Sequence, residues 1–284
     1  MVDAFCGGAG AYSGNPTCVV FPPRAVSAAW MAAVARASAQ PTTSFVDLRE
    51  GAFRTFGANG VELPLLSGHS SVGVAAAALR RAGGDAARLR LASRYGTVEL
   101  RRDGDMYEVA LPAGSGGACE PTARAPLAAA LGVDGAADVL ACGRVLGGRF
   151  LFAELTPAAF ARLAPDRTAL RALPDVLGVF ATAAGMAAPH AACAHPETVD
   201  FSVRHFAPGL GIEEDVATGS IQAFLHPYWA AKRAADGACA RALLAWQHSA
   251  RGGLIRSQPS ADGGHVLVAG RCALSLRGTA PLQE

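Results

Sequence analysis

Hydrophobic and polar residues alternate in short runs along this 284-residue chain, and two longer segments are apolar on nearly every side. We expect strands at the short runs VDAF, TCVVFP, TSFVDLRE and AFRTF, the last two forming a hairpin. A helix capped by Ser27 is expected at SAAWMAAVARASA. The two apolar segments, SGHSSVGVAAAALRRAGG and ATGSIQAFLHPYWAAKRAADG, predict helices buried all round, the first of them starting near Ser70.

The elements follow the same order in the two halves of the chain. After the first buried helix we expect strands at RLRLAS, GTVELRR and MYEVALP, with an Asp103-Gly104 turn between the last two. After the second we expect strands at RALLAWQ, GGLIRSQ and HVLVAG. A central helix among mixed strands, occurring twice, predicts an α+β fold of two pseudo-symmetric lobes with a cleft between them.

The stretch from residue 113 to residue 126 is rich in Gly, Pro and Ala and has the composition of a linker. We therefore expect an N-terminal lobe over residues 1–115 and a C-terminal lobe over residues 120–269. The segment GRCALSLRG after Ala269 could return to the first lobe as a strand, so residues 270–284 are assigned to the first lobe.

Composition excludes several classes of function. The net charge of +2 is scattered, which argues against nucleic-acid binding, and seven cysteines without CxxC spacing argue against a disulfide framework or a zinc site. We expect no signal peptide, no membrane span and therefore a cytoplasmic protein. Schiff-base chemistry would have to use Lys232, the only lysine, which we place at the exposed end of the second buried helix.

Each buried helix begins at a small Gly-containing turn. A helix start presents unpaired N–H groups and partial positive charge, so two starts facing one cleft could hold a carboxylate. Gly68 and Gly219 would let a ligand approach the backbone, Ser220 or Thr218 could add a hydroxyl, and His69 a titratable ring. Two interpretations stay open on the residues alone, a ligand site and simply capped helix starts.

The chain resembles the phenazine-biosynthesis PhzF-like proteins, which share the diaminopimelate epimerase fold. The resemblance lies in the segments VDAF…SGNPTCVVF, TSFV, SGHSSVG, RHFAPGLGIEEDVATGSIQAFL and QHSARGG, which cover nearly the whole chain in the family's order. It implies two lobes, each a β-barrel around a central helix, usually in a homodimer. It also implies a cofactor-free site in the cleft for proton transfer on small carboxylate-bearing molecules.

Carried over by position, the resemblance implies catalytic roles for His69 and Asp215 and no metal site. Glu213 and Glu214, beside Asp215, would then be solvated loop charges. The residues implied to hold the substrate are Gly68, Ser70, Thr218, Gly219, Ser220 and Thr42.

Two departures from the family pattern stand out. Racemases and epimerases of this fold carry a cysteine just before each Gly turn, where this chain has Ser67 and Thr218. Neither hydroxyl is acidic enough for that role unaided. PhzF-like isomerases also carry a proton-shuttling glutamate three residues before the Phe of the FV stretch, and here that position is Thr42.

Three functions remain open. The chain could be an isomerase whose proton is moved by Asp215 or His69, or by Glu62 in a loop longer than the family's usual one. It could instead promote tautomerisation or cyclisation by positioning a reactive intermediate. It could also be a binding protein that has lost catalysis. The Ala- and Arg-rich composition and the missing glutamate suggest specialised metabolism, such as antibiotic biosynthesis.

Overall fold

The computed structural model describes residues 1–7, 12–83, 86–114, 124–187, 189–191, 193, 196–235, 237 and 242–282. Its helices are α1 (Ala28–Ser38), α2 (Gly68–Ala82), α3 (Arg124–Leu131), α4 (Pro157–Ala161), α5 (Arg167–Ala172) and α6 (Gln222–Ala235). Its strands are β1 (Val2–Ala4), β2 (Asn15–Val20), β3 (Thr42–Asp47), β4 (Ala52–Gly57), β5 (Arg88–Ser93), β6 (Gly96–Asp103), β7 (Met106–Pro112), β8 (Val139–Val145), β9 (Phe150–Leu155), β10 (Gly178–Ala184), β11 (Phe201–Ala207), β12 (Ile212–Asp215), β13 (Leu243–Gln247), β14 (Gly253–Pro259) and β15 (His265–Leu274).

The first lobe is a closed barrel with α2 inside it. Strands β1 to β7 are neighbours in sequence order, and β15 closes the ring by pairing with both β7 and β1. Nearly all of α2 is buried, as its apolar sequence predicts. A Cβ atom on Gly73 would lie 2.3 Å from Cγ2 of Thr17, so only glycine allows α2 to lie this close to β2.

The second lobe curves around α6. Strand β15 also pairs with β14, and the sheet continues through β13, β11, β10 and β9 to β8, with β12 attached to β11. The aromatic face of α6 packs on these strands: Trp229 stacks on Phe201 at 5.6 Å, and Phe224 lies 4.8 Å from Phe152, between ring centroids. The expected fold of two lobes, each around a central helix, is confirmed.

The predicted helix cap at Ser27 and the predicted hairpin of β3 and β4 are present in the structure. Ser27 caps α1 by accepting from the amide of Trp30, and β3 and β4 form the expected antiparallel pair. Helix α2 begins at Gly68 rather than near Ser70, because the Ser67 side chain accepts from the amide of Ser70 and caps the helix two residues earlier.

The segment between residues 124 and 215 differs most from the sequence-based picture. It holds three helices and five strands that the hydrophobic pattern did not indicate. The expected linker falls mostly on residues 115–123, which lie outside the described residues. The lobe boundaries at residues 115, 120 and 269 therefore stay a prediction. No helix in the described ranges is long and apolar enough to cross a membrane.

Candidate active site

The starts of the two central helices touch through a pair of glycines. A Cβ atom added to Gly68 would lie 2.6 Å from the carbonyl carbon of Gly219 and 2.6 Å from the amide nitrogen of Ser220. A Cβ atom added to Gly219 would lie 2.9 Å from Cζ of Phe5. Only residues without a side chain let the two backbones meet at these distances. The two halves of the predicted site are therefore adjacent in space.

His69 is held by hydroxyl groups on both sides of its ring. Its Nε2 lies 2.9 Å from Oγ1 of Thr42, and its Nδ1 lies 3.2 Å from Oγ of Ser67. Burial lowers the pKa of His69, and the nearby carboxylate of Asp215 opposes part of that shift. The imidazole is thus neutral near pH 7, and Thr42 is in direct contact with it.

Asp215, at the end of β12, is buried and accepts hydrogen bonds at both carboxylate oxygens. Oδ1 accepts from Nδ2 of Asn15 at 2.8 Å and from the amide of Val216 at 2.9 Å. Oδ2 accepts from the hydroxyl of Thr218 at 2.5 Å and lies 3.8 Å from Nδ1 of His205. Burial alone would raise the pKa of Asp215, but the His205 and Thr218 contacts outweigh it and hold this pKa below its usual range. The carboxylate is therefore ionised.

Thr218 is fixed by three side chains of the second lobe. Its hydroxyl lies 3.0 Å from Nδ1 of His205 and 3.1 Å from Nε2 of Gln247, and it donates to Asp215. Gln247 also accepts from the amide of Thr218 at 2.7 Å and donates to the carbonyl of Asp215 at 2.7 Å. This network sets the direction of the Asp215 carboxylate.

The remaining predicted residues lie at the same place. Ser70 is buried in the first turn of α2, where its hydroxyl donates to the carbonyl of Ser67 at 3.2 Å. Ser220 is half-buried and its amide lies against Gly68. Each of the eight predicted site residues therefore lies close to the contact between Gly68 and Gly219 or is hydrogen-bonded to a residue that lies close to it.

Three residues of the site were not predicted from the sequence: Asn15, His205 and Gln247. His205 lies in β11, and its Nδ1 lies against Thr218 and Asp215. Asn15 and Gln247 lie in the family-like segments SGNP and QHSARGG, which carried no assigned role for them. The polar residues of these segments were the signal that could have identified them.

The other acids near the site are engaged in ion pairs. Glu214 is not a solvated loop charge: it lies in β12 and accepts from Nε and Nη2 of Arg204 at 2.7 and 3.0 Å. Glu213 pairs with Arg167 at 2.5 Å and is half-exposed. Glu62 accepts from Nη2 of Arg54 at 2.7 Å, and this contact lowers its pKa.

Lys232 also differs from the expectation of a solvated helix end. Its Nζ lies 2.5 Å from both carboxylate oxygens of Glu154, whose side chain is only 4% exposed. The single lysine therefore compensates a buried charge.

A second group of contacts joins the first lobe to the second beside the site. Nη2 of Arg251 donates to Asp3 at 2.8 Å, and its Nε donates to the carbonyl of Gly14 at 2.8 Å. The amide of Leu254 donates to the carbonyl of Phe5 at 3.0 Å. Among the residues that the structure describes, no three His, Cys, Asp or Glu side chains lie where they could hold a metal ion.

Comparison with known proteins places this geometry in context. An uncharacterized isomerase of Pseudomonas aeruginosa is 31% identical over 281 residues, which is 98% of this chain and 96% of that protein. The crystal structure of a PhzF family protein from Enterococcus faecalis matches with a TM-score of 0.81 and 27% identity over 99% of this chain and 97% of that one.

A third protein, described as a predicted epimerase from Pseudomonas aeruginosa, shares the fold with a TM-score of 0.72 at 23% identity over 99% of this chain and 98% of that one. The family model described as "Phenazine biosynthesis-like protein" matches residues 2–278. With the paired helix starts and the side chains of His69 and Asp215 beside them, these similarities lead to one conclusion: the chain belongs to the phenazine biosynthesis-like (PhzF) family, and its curated relatives from Pseudomonas aeruginosa and Vibrio cholerae are named uncharacterized isomerases.

Proposed function

We propose that this protein is a cofactor-independent isomerase that moves a proton, and with it a double bond, on a small carboxylate-bearing molecule. The observation that carries the proposal is that a neutral imidazole and an ionised carboxylate, His69 and Asp215, come from opposite halves of the chain and lie close enough to interact electrostatically, beside the contact of Gly68 with Gly219. A base and a fixed anion beside each other suit the removal of a proton from carbon and its return elsewhere.

The substrate carboxylate would lie at the contact between the helix starts. The first N–H groups of a helix lack intrahelical partners and attract anions. Gly68 and Gly219 let the start of α2 and the turn before α6 meet at this place, and the hydroxyl-bearing residues Ser70, Thr218 and Ser220 lie next to them in the chain. Asp215 would hydrogen-bond a polar substituent of the same molecule.

Thr42 changes how the proton is moved in this chain. A threonine hydroxyl cannot serve as the base that a glutamate provides, but Thr42 hydrogen-bonds Nε2 of His69 at 2.9 Å. His69 has an intrinsic pKa near 6.5, suited to proton transfer near neutral pH. We therefore assign the proton-moving role to His69, with Asp215 holding the substrate.

The test is deuterium incorporation. The purified protein would be incubated in D2O with a panel of small unsaturated and amino-substituted carboxylic acids, and carbon-bound deuterium measured by mass spectrometry and NMR. An isomerase places deuterium on a product carbon, and His69→Gln abolishes the incorporation. Conversion without carbon-bound deuterium would favour the second candidate, tautomerisation or cyclisation by positioning.

The replacement of the glutamate by Thr42 also makes a non-catalytic binding protein a candidate. In that case no acid of the panel is converted, yet one of them raises the melting temperature by binding only the folded state.

Chelator treatment before the assay tests cofactor independence, since activity lost on chelation would contradict it.

We further propose that the protein is a homodimer, works in the cytoplasm in specialised metabolism such as antibiotic biosynthesis, and has no nucleic-acid or membrane partner. Light scattering of the purified chain tests the dimer. A monomer at micromolar concentration would contradict it.

A further inference from the structure

Both ring nitrogens of His69 are occupied by hydroxyl groups. Nε2 lies 2.9 Å from Thr42 Oγ1 and Nδ1 lies 3.2 Å from Ser67 Oγ, and the residue is 7% exposed. A proton that enters or leaves this imidazole therefore has to pass through one of the two hydroxyls. We propose that Ser67 is a further catalytic residue, which carries protons between the substrate and His69. This inference rests on the proposed function.

We infer the protonated nitrogen of His69 from the hydrogen bonds around Thr42. The Thr17 hydroxyl lies 3.3 Å from the carbonyl of Thr42, and we assign its one hydrogen to that contact. Either oxygen can donate in the 2.8 Å contact between the two threonine hydroxyls, and this assignment makes Thr42 the donor. Thr42 then has no hydrogen left for His69, so Nε2 of His69 carries the proton and donates to Thr42. Nδ1 is then the acceptor, and the hydroxyl of Ser67 donates to it.

Ser67 is the better placed of the two hydroxyls to meet a substrate. Thr42 is 4% exposed, and its hydroxyl is enclosed between Thr17 and His69. Ser67 is half-buried, directly precedes Gly68 at the proposed carboxylate position, and lines a depression open to solvent. Arg94 lines the same depression together with the ion pair of Arg54 and Glu62, so the net charge of the lining is positive and attracts an anionic molecule to the side of Ser67.

The proposed proton transfer needs only the substrate, Ser67 and His69. The proton of the substrate C–H bond goes to Oγ of Ser67 while the hydroxyl proton of Ser67 goes to Nδ1 of His69. The electron pair of the C–H bond stays on the substrate and is delocalised toward its carboxylate. His69 becomes an imidazolium whose Nε2–H still donates to Thr42. Reversal at a second carbon returns the proton through Ser67, which leaves the protein unchanged and the double bond moved.

The imidazole of His69, 3.2 Å from the Ser67 hydroxyl, can take up the proton of that hydroxyl, a contact that the sequence did not show. This hydroxyl is also the N-cap of α2, accepting from the amide of Ser70 at 3.4 Å, so its loss has a structural consequence as well. Asparagine is as good an N-cap as serine but cannot pass a proton on. Threonine keeps both the cap and the hydroxyl. These two substitutions separate the two roles of Ser67.

The experiment compares Ser67→Asn, Ser67→Ala and Ser67→Thr in the deuterium assay, with melting temperatures recorded. We expect Ser67→Asn to melt like the wild type and to lose roughly 10²–10⁴-fold in kcat with KM less affected, because general acid–base groups contribute about that much. Ser67→Thr should retain most of the activity. Ser93→Ala, in the same depression but with its hydroxyl bound to the carbonyl of Gly96, is the matched control. Wild-type kcat in Ser67→Asn overturns the proposal.

A second measurement needs no substrate. Nitrogen-15 NMR of histidine-labelled protein, with the His69 signals identified by their loss in His69→Gln, reports which ring nitrogen carries the proton. We expect the Nε2–H form at pH 7. The Nδ1–H form overturns the proposal, because Ser67 could not then give its proton to Nδ1. If the wild type exchanges no carbon-bound deuterium with any acid, the proposed function fails, and the NMR result still decides whether Ser67 faces a proton acceptor.

Discussion

Gly68 and Gly219 form a backbone contact between the start of α2 and the turn that leads into α6. A Cβ atom on Gly68 would lie 2.6 Å from the carbonyl carbon of Gly219. This contact holds the two lobes at a fixed distance and brings His69 close to Asp215. The site is therefore a property of the interface between the lobes, and its geometry is sensitive to small changes there.

Gly68→Ala should destabilise the protein by about 1–3 kcal/mol, because the added methyl group has to displace backbone atoms on the other lobe. Ligand binding and activity should fall as well. Urea unfolding measures the change. Gly135→Ala is the matched control, since an added Cβ atom there meets nothing within 4 Å. An unchanged unfolding midpoint in Gly68→Ala would show that the two turns separate easily in solution.

Asp215→Asn should lower deuterium incorporation roughly 10²–10⁴-fold while the fold persists. The replacement is nearly isosteric and can still accept from Asn15, but it removes the charge. Glu213→Gln is the control, because that carboxylate is half-exposed and pairs with Arg167. If Asp215 were only a helix cap, Asn would serve nearly as well, and full activity in the variant would remove Asp215 from the mechanism.

Thr42→Glu should raise the pKa of His69 by more than about one unit, because an opposite charge within about 4–6 Å favours the imidazolium. Thr42→Gln, similar in size but neutral, is the matched control and should not raise it. NMR titration of His69 measures both. An unchanged pKa in Thr42→Glu would mean that the new carboxylate turns away from His69 and that position 42 does not act on the imidazole.

Lys232→Met should destabilise the protein by about 1–3 kcal/mol, since it removes a partner of the buried Glu154 carboxylate and leaves only the hydroxyl of Tyr228. Combining it with Glu154→Gln should recover part of the loss in a double-mutant cycle. Arg167→Met, which breaks an exposed pair with Glu213, should cost less than about 1 kcal/mol. Equal effects of the two single substitutions would contradict a special role for Lys232.

Stability should fall as the pH falls from about 6.5 to about 4. Burial lowers the pKa of His248 to about 4, and the charges of His190 and Arg204 act in the same direction. In this window the unfolded chain binds a proton that the native protein does not, so the free energy of unfolding rises with pH by at most about 1.4 kcal/mol per unit for this group.

Urea unfolding at several pH values measures that slope. His248→Gln keeps a polar partner for Ser202, 3.0 Å from Nε2 of His248, and should flatten the profile. His69 and His226, whose pKa values are also lowered, leave part of the slope. His265→Gln, at an exposed position, should leave the profile unchanged. A steep profile that persists in His248→Gln would assign the effect to the other histidines.

The sequence by itself determined the elements with a strong local pattern. The β-branched and aromatic residues of β3 and β4, the apolar run of α2 and the Asp103-Gly104 turn depend on neighbours a few residues apart. The family resemblance, also read from the sequence, identified His69, Asp215 and the two glycines. Between residues 124 and 215, strands β9 and β10 are buried nearly throughout and stand among short helices, so no local period distinguishes them.

Only the tertiary structure decided how the site is connected. Asn15 and Asp215 are 200 residues apart in sequence, and their hydrogen bond exists because β2 and β12 lie at the interface between the lobes. The contact of Thr42 with His69, and the two hydroxyls that enclose that imidazole, likewise depend on the packing of α2 against β2 and β3. Hydrogen bonds between distant segments follow from the packing of the whole fold, and no local pattern of residues records them.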